Sequence, residues 1–210
     1  MEQTFFNYNL KPNINIENYF VGESNIYAFK TLIKNHLINN NYFLVGPSKS
    51  GKTHLSYIWK KKYNALIYDN NLDDILKSNN NILIENIFDN LNEENIFHII
   101  NYCNNKKLKI LINSKFSLNE YNFKLPDLSS RLKTFISIKI DLPDDELLIN
   151  LLLKLFHDKQ IIIKNPEIFN YIIKRVDRSY EKIFVLVNKI DKLLMKKNKQ
   201  LTIPLIKDLI

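Results

Sequence analysis

Apolar and polar positions along the chain follow two rhythms. Short, β-branched apolar runs stand at residues 42–45 (YFLV), 65–68 (ALIY), 82–87 (ILIENI), 108–112 (LKILI) and 135–140 (FISIKI). Continuous apolar character over so short a run is what a strand buried on both faces requires. Helical periods fill the intervals, at 23–39, 52–62 and 92–104, with a shorter one near 73–77. Strands alternating with helices predict an α/β fold, with a five-stranded parallel sheet covered by helices on both faces.

The rhythm changes after residue 141. The stretch LPDDELLINLLLKLFHDKQ opens with Pro143 and three acids, which suit a helix N-terminus. Leu147, Leu148, Leu151, Leu152 and Leu155 then make one apolar stripe. Two helices are expected at 165–176 and 179–196, and Thr202 caps a last one with Pro204 in its first turn. The expected organisation is a base domain over 13–141 and a small all-helical unit over 142–210.

Composition narrows the function classes. With 210 residues and 45% apolar content, the chain can bury a real core. One cysteine, Cys103, excludes an internal disulfide framework and fits a reducing compartment. No apolar run approaches the roughly 18 residues of a membrane span. The start, MEQTFFNYNL, has no cationic stretch followed by an apolar block, so it is not a secretory signal. A cytoplasmic protein without membrane contact is expected. The net charge of +8 is spread over small lysine clusters at 60–62, 106–109 and 196–199, which reads as compositional drift. Weak nonspecific DNA affinity is a minor option.

Glycine usage is more pointed. Only 3 glycines occur, Gly22, Gly46 and Gly51, and two of them lie within GPSKSGKT. Gly46-Pro47-Ser48-Lys49-Ser50-Gly51-Lys52-Thr53 fits the phosphate-loop pattern G-x-x-x-x-G-K-[ST] in full, after a strand and before a helix. Loop and first-turn N–H groups then face phosphates, Lys52 reaches the β- and γ-phosphates, and the Thr53 hydroxyl ligates Mg²⁺. ADP or ATP with Mg²⁺ is the expected cofactor. About 28 residues later the strand at 82–87 carries Glu85, a second Mg²⁺ ligand, directly or through water. Asn86 follows where many nucleotide hydrolases carry an acid. An amide cannot accept a proton from water and can only orient it, so slow intrinsic hydrolysis is expected.

Several stretches together resemble one family. ENYFVGESN (17–25) resembles the adenine-framing motif of the bacterial initiator DnaA's AAA+ domain, with Val21 in it. GPSKSGKTHL resembles its Walker A. LPDLSSRL (125–132) resembles the box carrying its arginine finger. LTIPLIKDLI (201–210) resembles the closing stretch of the Hda family, the regulatory inactivators of DnaA. The resemblance spans nearly the whole chain. It implies an αβα AAA+ P-loop base with a helical lid. It further implies an ADP-bound regulator that rides on the DNA-loaded sliding clamp of DNA polymerase III and triggers ATP hydrolysis on DnaA. Arg131 occupies the finger position. Gln3, Phe6 and Tyr8, within residues 1–12, resemble the clamp-binding peptide, although Thr4 stands where the family has leucine. DNA is then met indirectly through the clamp, near the nucleoid and replisome. The oligomeric state is open, a homodimer included.

The chain departs from the family elsewhere. The sensor I strand ends in Asn113-Ser114-Lys115, with Asn113 or Ser114 left to touch a γ-phosphate or its water and Lys115 replacing an acid. The sensor II arginine falls near Glu181, with Arg178 or Lys182 as substitutes. No helix-turn-helix unit is expected after the last helix. The short span between Thr53 and Ile82 leaves little room for an initiator's DNA-gripping insertion. Two rivals stand beside the regulator: an ATPase of the helicase-loader or transposition-helper type, and a non-hydrolysing adaptor. His36, His54, His98 and His157 lack metal-ligand spacing, and Trp59, Leu55 and Ile58 read as core.

Overall fold

Five strands form a wholly parallel sheet in the order β2-β3-β4-β1-β5, in a computed structural model that describes residues 15–34, 41–197 and 200–210. The strands are β1 (Tyr42–Val45), β2 (Ala65–Ile67), β3 (Asn81–Ile84), β4 (Ile110–Ser114) and β5 (Ile136–Lys139). Helices α1 (Ile26–Phe29), α2 (Lys52–Tyr63), α3 (Leu72–Lys77), α4 (Glu93–Lys106) and α5 (Pro126–Leu132) cover it. The residues expected to bind the sliding clamp, Gln3, Phe6 and Tyr8, lie outside the described residues.

Alternation along each strand builds two cores. Leu44, Leu83, Leu111 and Ile138 face one side, where Leu55, Ile58 and Trp59 of α2 and Ala28 and Phe29 of α1 cover them. Phe43, Ile82, Ile84, Ile110 and Ile112 face the other, under Ile75 of α3, Ile96, Ile99 and Ile100 of α4, and Leu128 and Leu132 of α5. The central strands β3, β4 and β1 therefore carry buried apolar side chains on both faces, whereas the edge strand β5 alternates, with Ser137 and Lys139 exposed. Cys103 is buried in the second core, where burial pushes its thiol up to about 12.

Element edges differ from the pattern-based expectation for local reasons. The first helix begins at Ile26 rather than 23, because the Asn25 side chain takes the Gly22 N–H at 2.9 Å and gives its own N–H to the Phe20 carbonyl at 2.9 Å. That knot holds 20–25 as a turn. After α1 the chain continues as a π turn over Lys30–Lys34. Strand β3 stops at Ile84 because Asn86 takes a left-handed conformation, φ 45°. Strand β4 starts two residues late because Lys107, φ 57°, ends α4 and Leu108 N–H closes onto the Cys103 carbonyl at 2.8 Å. LPDLSSRL is helical over most of its length as α5, with Pro126 in the first turn.

Beyond the sheet come α6 (Asp145–Asp158), α7 (Glu167–Ile173), α8 (Tyr180–Lys197) and α9 (Ile203–Lys207). They pack around a third core that includes Leu148, Leu152, Phe156, Ile168, Ile183, Val187, Ile190 and Ile206. Asp144 caps α6 by accepting the Leu147 N–H at 2.7 Å. Thr202 holds the cap position of α9, but its side chain makes no capping bond. The seam between the two units is the 17–25 stretch. Asp144 accepts the Glu23 N–H at 3.2 Å, Ser24 Oγ meets Tyr180 Oη at 3.0 Å, and Lys154 donates to the Asn18 carbonyl at 3.0 Å. Gly22 permits this approach, since a Cβ there would stand 3.1 Å from the Asp144 carboxylate and 3.3 Å from Leu147 Cβ. Among the described residues no helix is long and apolar enough to cross a membrane.

Candidate functional site

In a parallel sheet all strands end on one edge, and loops leaving adjacent strands meet there. Here β3, β4 and β1 are neighbours, and their C-terminal ends deliver Glu85, Ser114 and Gly46 to one place. Val45 pairs with Ser114 in the ladder, and the Gly46 N–H extends it to the Ser114 carbonyl at 3.3 Å.

The predicted phosphate loop wraps over the start of α2. Lys49 (φ 63°) and Gly51 (φ 86°) are both left-handed, and Ser50 N–H bonds the Pro47 carbonyl at 3.3 Å. Such turns aim successive N–H groups into a shared concavity. Gly51 has a second constraint: a Cβ there would meet the Tyr19 ring at 3.1 Å. Ser50 Oγ is buried and among the described residues has no hydrogen-bond partner, a polar atom that an anion in the loop would satisfy. Lys52 is buried and donates to the Gly46 and Pro47 carbonyls, each at 2.8 Å. Burial, helped by the nearby positive charge of Lys115, lowers its pKa to about 8. Ser48 is half-buried on the loop, and Thr53 is exposed at the first turn of α2.

Glu85 belongs to a polar network. Asn113 is fully buried, and its amide donates to Ser56 Oγ at 2.9 Å and to Glu85 Oε1 at 3.3 Å. Its side-chain oxygen accepts the Asn86 N–H at 2.8 Å. Tyr57 stands beside Glu85. Burial first, and then the carboxylate's charge, push the phenol's pKa up. Thr53, Ser56 and Tyr57 share one face of α2, which puts the Thr53 hydroxyl on the same side as Glu85. These hard oxygen donors suit Mg²⁺. Among the described residues no group of three or more His, Cys, Asp or Glu gathers to hold a metal alone, so phosphate oxygens would have to complete the shell. Asn86 is exposed, and Ser114 is buried with its hydroxyl accepting the Phe116 N–H at 3.0 Å.

Val21 is 43% exposed at a cleft of about 270 Å³ between the 21–23 backbone and the start of α6, whose rim carries Glu23, Asp144 and Glu146. On the lid, Arg178 pairs with Asp145 at 3.0 Å, and Lys182 pairs with Asp177. Both expected sensor II substitutes are thus engaged within the lid. Lys49 reaches the lid instead, 5.7 Å from the Phe184 ring centre.

Arg131 stands apart from the phosphate loop, on the α4 side of the sheet. Its guanidinium lies 5.0 Å from the centre of the Phe97 ring, and among the described residues it makes no ion pair, with Asp127 or any other acid. Glu93, one turn before Phe97 on α4, accepts the Lys124 and Leu125 N–H groups at 3.0 and 2.7 Å. The two α4 residues therefore fix both ends of α5. A ring cluster supports the same loop, with Phe88 stacked on Tyr121 at 4.5 Å and Phe123 edge-on to Tyr121 at 4.9 Å.

The motif-based reading did not single out Ser56, Tyr57, Glu93 or Phe97. Ser56 and Tyr57 had a faint signal, being three and four residues after Thr53 on one helix. Glu93 and Phe97 had none, since their roles depend on a loop some thirty residues away.

A family model described as Hda, lid domain, matches residues 145–210. A chromosomal replication initiator protein DnaA from Buchnera aphidicola subsp. Baizongia pistaciae (strain Bp) is 29% identical over 218 residues, covering 86% of this chain and 47% of the relative. The chain therefore spans about half the length of this curated relative. Domain III of the Thermotoga maritima initiator DnaA superposes with a TM-score of 0.73 at 19% identity, covering 96% of this chain and 98% of that one. AMPPCP-bound DnaA from Aquifex aeolicus superposes at 0.67 with 18% identity, covering 88% and 67% respectively.

Proposed function

We propose that this chain, similar to the Hda lid over residues 145–210 and to DnaA over most of its length, is a nucleotide-holding AAA+ regulator of DNA replication that stimulates ATP hydrolysis on DnaA, together with the DNA-loaded sliding clamp, and so restrains initiation. The observation carrying this reading is Arg131. Its guanidinium is held on the Phe97 ring at the surface of α5 with no carboxylate to neutralise it among the described residues. A cation presented in this way suits insertion into a partner's nucleotide site, where charge develops on the γ-phosphate. Such a group contributes roughly 10³ to 10⁵ in rate.

The chain's own loop holds ADP or ATP. Backbone N–H groups of the loop after Pro47 and of the first turn of α2, with the Lys52 ammonium, bind the phosphates, and Val21 borders the base. Thr53 and Glu85 would hold Mg²⁺, which offsets phosphate charge when bound. Asn113 orients Glu85 through its amide. Asn86 offers no general base, so turnover on this chain is slow. The relative and the structural neighbour named as DnaA support the initiator as partner, and the AMPPCP-bound neighbour supports nucleotide binding. Gln3, Phe6 and Tyr8 are the proposed contact to the clamp.

The test is phosphate release from ATP-loaded DnaA on adding this protein with ADP and DNA-loaded clamp, with Arg131→Ala in parallel. Acceleration of tenfold or more that vanishes in the variant is expected. No acceleration, with ATP turnover by this protein itself on single-stranded DNA, would establish the DNA-acting ATPase instead. Full function with Lys52→Ala would establish the adaptor.

A further inference from the structure

We propose that the edge of the sheet opposite the phosphate loop is a docking surface for the phosphate backbone of duplex DNA. The inference stands apart from the reading of the nucleotide site and of Arg131.

In a parallel sheet every strand begins on the edge opposite the one where its loops form a site, and the crossover helices end there. Helices α2, α3 and α4 run into β2, β3 and β4, which are neighbours, so their last turns meet along that edge. The segments that build it, 60–64, 77–81 and 104–109, contain no Asp or Glu. Lys61 and Lys62 end α2, Lys77 ends α3, Lys106 and Lys107 end α4, and all of these are exposed; Lys109 stands just before β4. The Tyr63 ring shows how the fold gathers them. The Lys62 ammonium lies 5.1 Å from its centre and the Lys109 ammonium 4.5 Å, although they come from different crossovers. Among the described residues none of these lysines is in an ion pair. A cation in a last helical turn answers the helix dipole. Lys109 lies outside any helix, so the surface carries more charge than that role needs. Like charges gathered without a carboxylate repel one another, and a polyanion laid across them relieves the repulsion.

The neighbouring side chains select among polyanions. Asn81 donates its amide to the Tyr63 carbonyl at 2.6 Å and accepts the Lys109 N–H at 2.8 Å. Asn80 donates to the Asn64 carbonyl at 2.9 Å, and Asn41 accepts the Ile110 N–H at 3.0 Å. The amides that would read base edges are engaged by backbone, so the surface offers charge without base readout. Tyr63 is half-buried with two ammonium groups at its ring, so it gives no free platform on which a single strand would stack. A duplex presents regularly spaced phosphates and needs neither. The lysine clusters at 60–62 and 106–109, separate in the sequence, are one surface in the fold.

The experiment is a fluorescence-anisotropy titration of the full chain, without nucleotide, against a short labelled duplex, a single strand of equal length and a polyglutamate peptide. Two variants lose equal charge: Lys61→Gln/Lys106→Gln/Lys109→Gln on this edge, and Lys164→Gln/Lys174→Gln/Lys189→Gln at exposed lid positions. Expected is duplex binding that weakens tenfold or more between about 50 and about 200 mM salt. At the lower salt the edge variant should lose a further tenfold and the lid variant less than threefold. Lys61→Arg/Lys106→Arg/Lys109→Arg should bind as the parent does, with one melting temperature throughout. Lys61→Gln/Lys106→Gln, which leaves both contacts to Tyr63 intact, must show a loss as well, since the effect is one of charge and not of folding. The proposal is overturned by a parent that does not bind duplex, by equal losses in the edge and lid variants, or by tighter binding of the single strand or the peptide. Nucleotide is absent from the titration, so failure here and failure to stimulate DnaA are separate results.

Discussion

The side-chain oxygen of Asn113 accepts the Asn86 backbone N–H at 2.8 Å, while the same side chain's amide reaches Ser56 and Glu85. One buried residue at the end of β4 thus sets the path of the chain after β3 and the aim of the carboxylate there. Removing it leaves buried donors and acceptors unpaired, which costs about 1–3 kcal/mol. Asn113→Ala is expected to lower stability by that amount in urea denaturation. It should also weaken the Mg²⁺ dependence of nucleotide binding more than the binding measured in EDTA.

Asn86 shows why an amide stands where a hydrolase carries an acid. Its left-handed backbone, φ 45°, suits asparagine better than most residues. Asn86→Gly should be near neutral and Asn86→Ala should cost about 1 kcal/mol. Asn86→Glu supplies a proton acceptor at that position. Faster single-turnover ATP hydrolysis by Asn86→Glu than by the parent is expected; no change would mean that the residue does not face the water.

Lys52 makes nucleotide affinity depend on pH. Its pKa is lowered to about 8 by burial and by Lys115, whereas phosphate favours the charged ammonium. Below pH 8 the lysine is already protonated and affinity should be flat. Above pH 8 binding must take up a proton, so the ADP dissociation constant should rise between pH 8 and 9.5, measured by fluorescence titration. The linked effect on folding has the opposite sense. The unfolded chain binds the proton more tightly than the native one, so this group's penalty to stability fades as pH climbs from about 8 toward 10.5.

Glu93 and Phe97 set the direction of Arg131 from α4. Phe97→Leu removes a cation–π contact of about 0.5–1 kcal/mol. It should reduce stimulation of DnaA severalfold while leaving ADP affinity unchanged. Glu93→Ala frees the 124–125 amides and should do the same, with a stability loss of about 1 kcal/mol. Nucleotide affinity that falls in parallel with stimulation would place the fault in the fold rather than in Arg131.

Phe156 is wholly buried in the lid core, so Phe156→Ala should cost about 3–5 kcal/mol there. Trp59 lies in the base core. Helical circular dichroism should therefore fall before Trp59 fluorescence changes on heating.

Much of this architecture was legible from the chain alone, because the signals are local. A strand buried on both faces must be largely apolar, so the central strands are visible as runs, and β1 is matched residue for residue, while the edge strand β5 shows as alternating isoleucines. Gly51 is needed for its positive φ and Gly46 because a Cβ there would stand 3.0 Å from Ile140 Cβ, and the scarcity of glycine elsewhere makes both conspicuous. PDDELL announces the start of α6 because acids and a capping carboxylate favour a helix N-terminus. What the tertiary structure decided is which distant groups meet. Asn113 faces Glu85 only because β3 and β4 are neighbours in the sheet. Arg178 and Lys182 turn to Asp145 and Asp177 because those acids are close in the folded lid. The Gly46 N–H reaches the Ser114 carbonyl because β4 lies beside β1, and Arg131 lies over the Phe97 ring because α5 packs beside α4. Periodicity carries burial and capping, but pairing across the sheet is a property of the topology, and the chemistry of this site resides in those pairings.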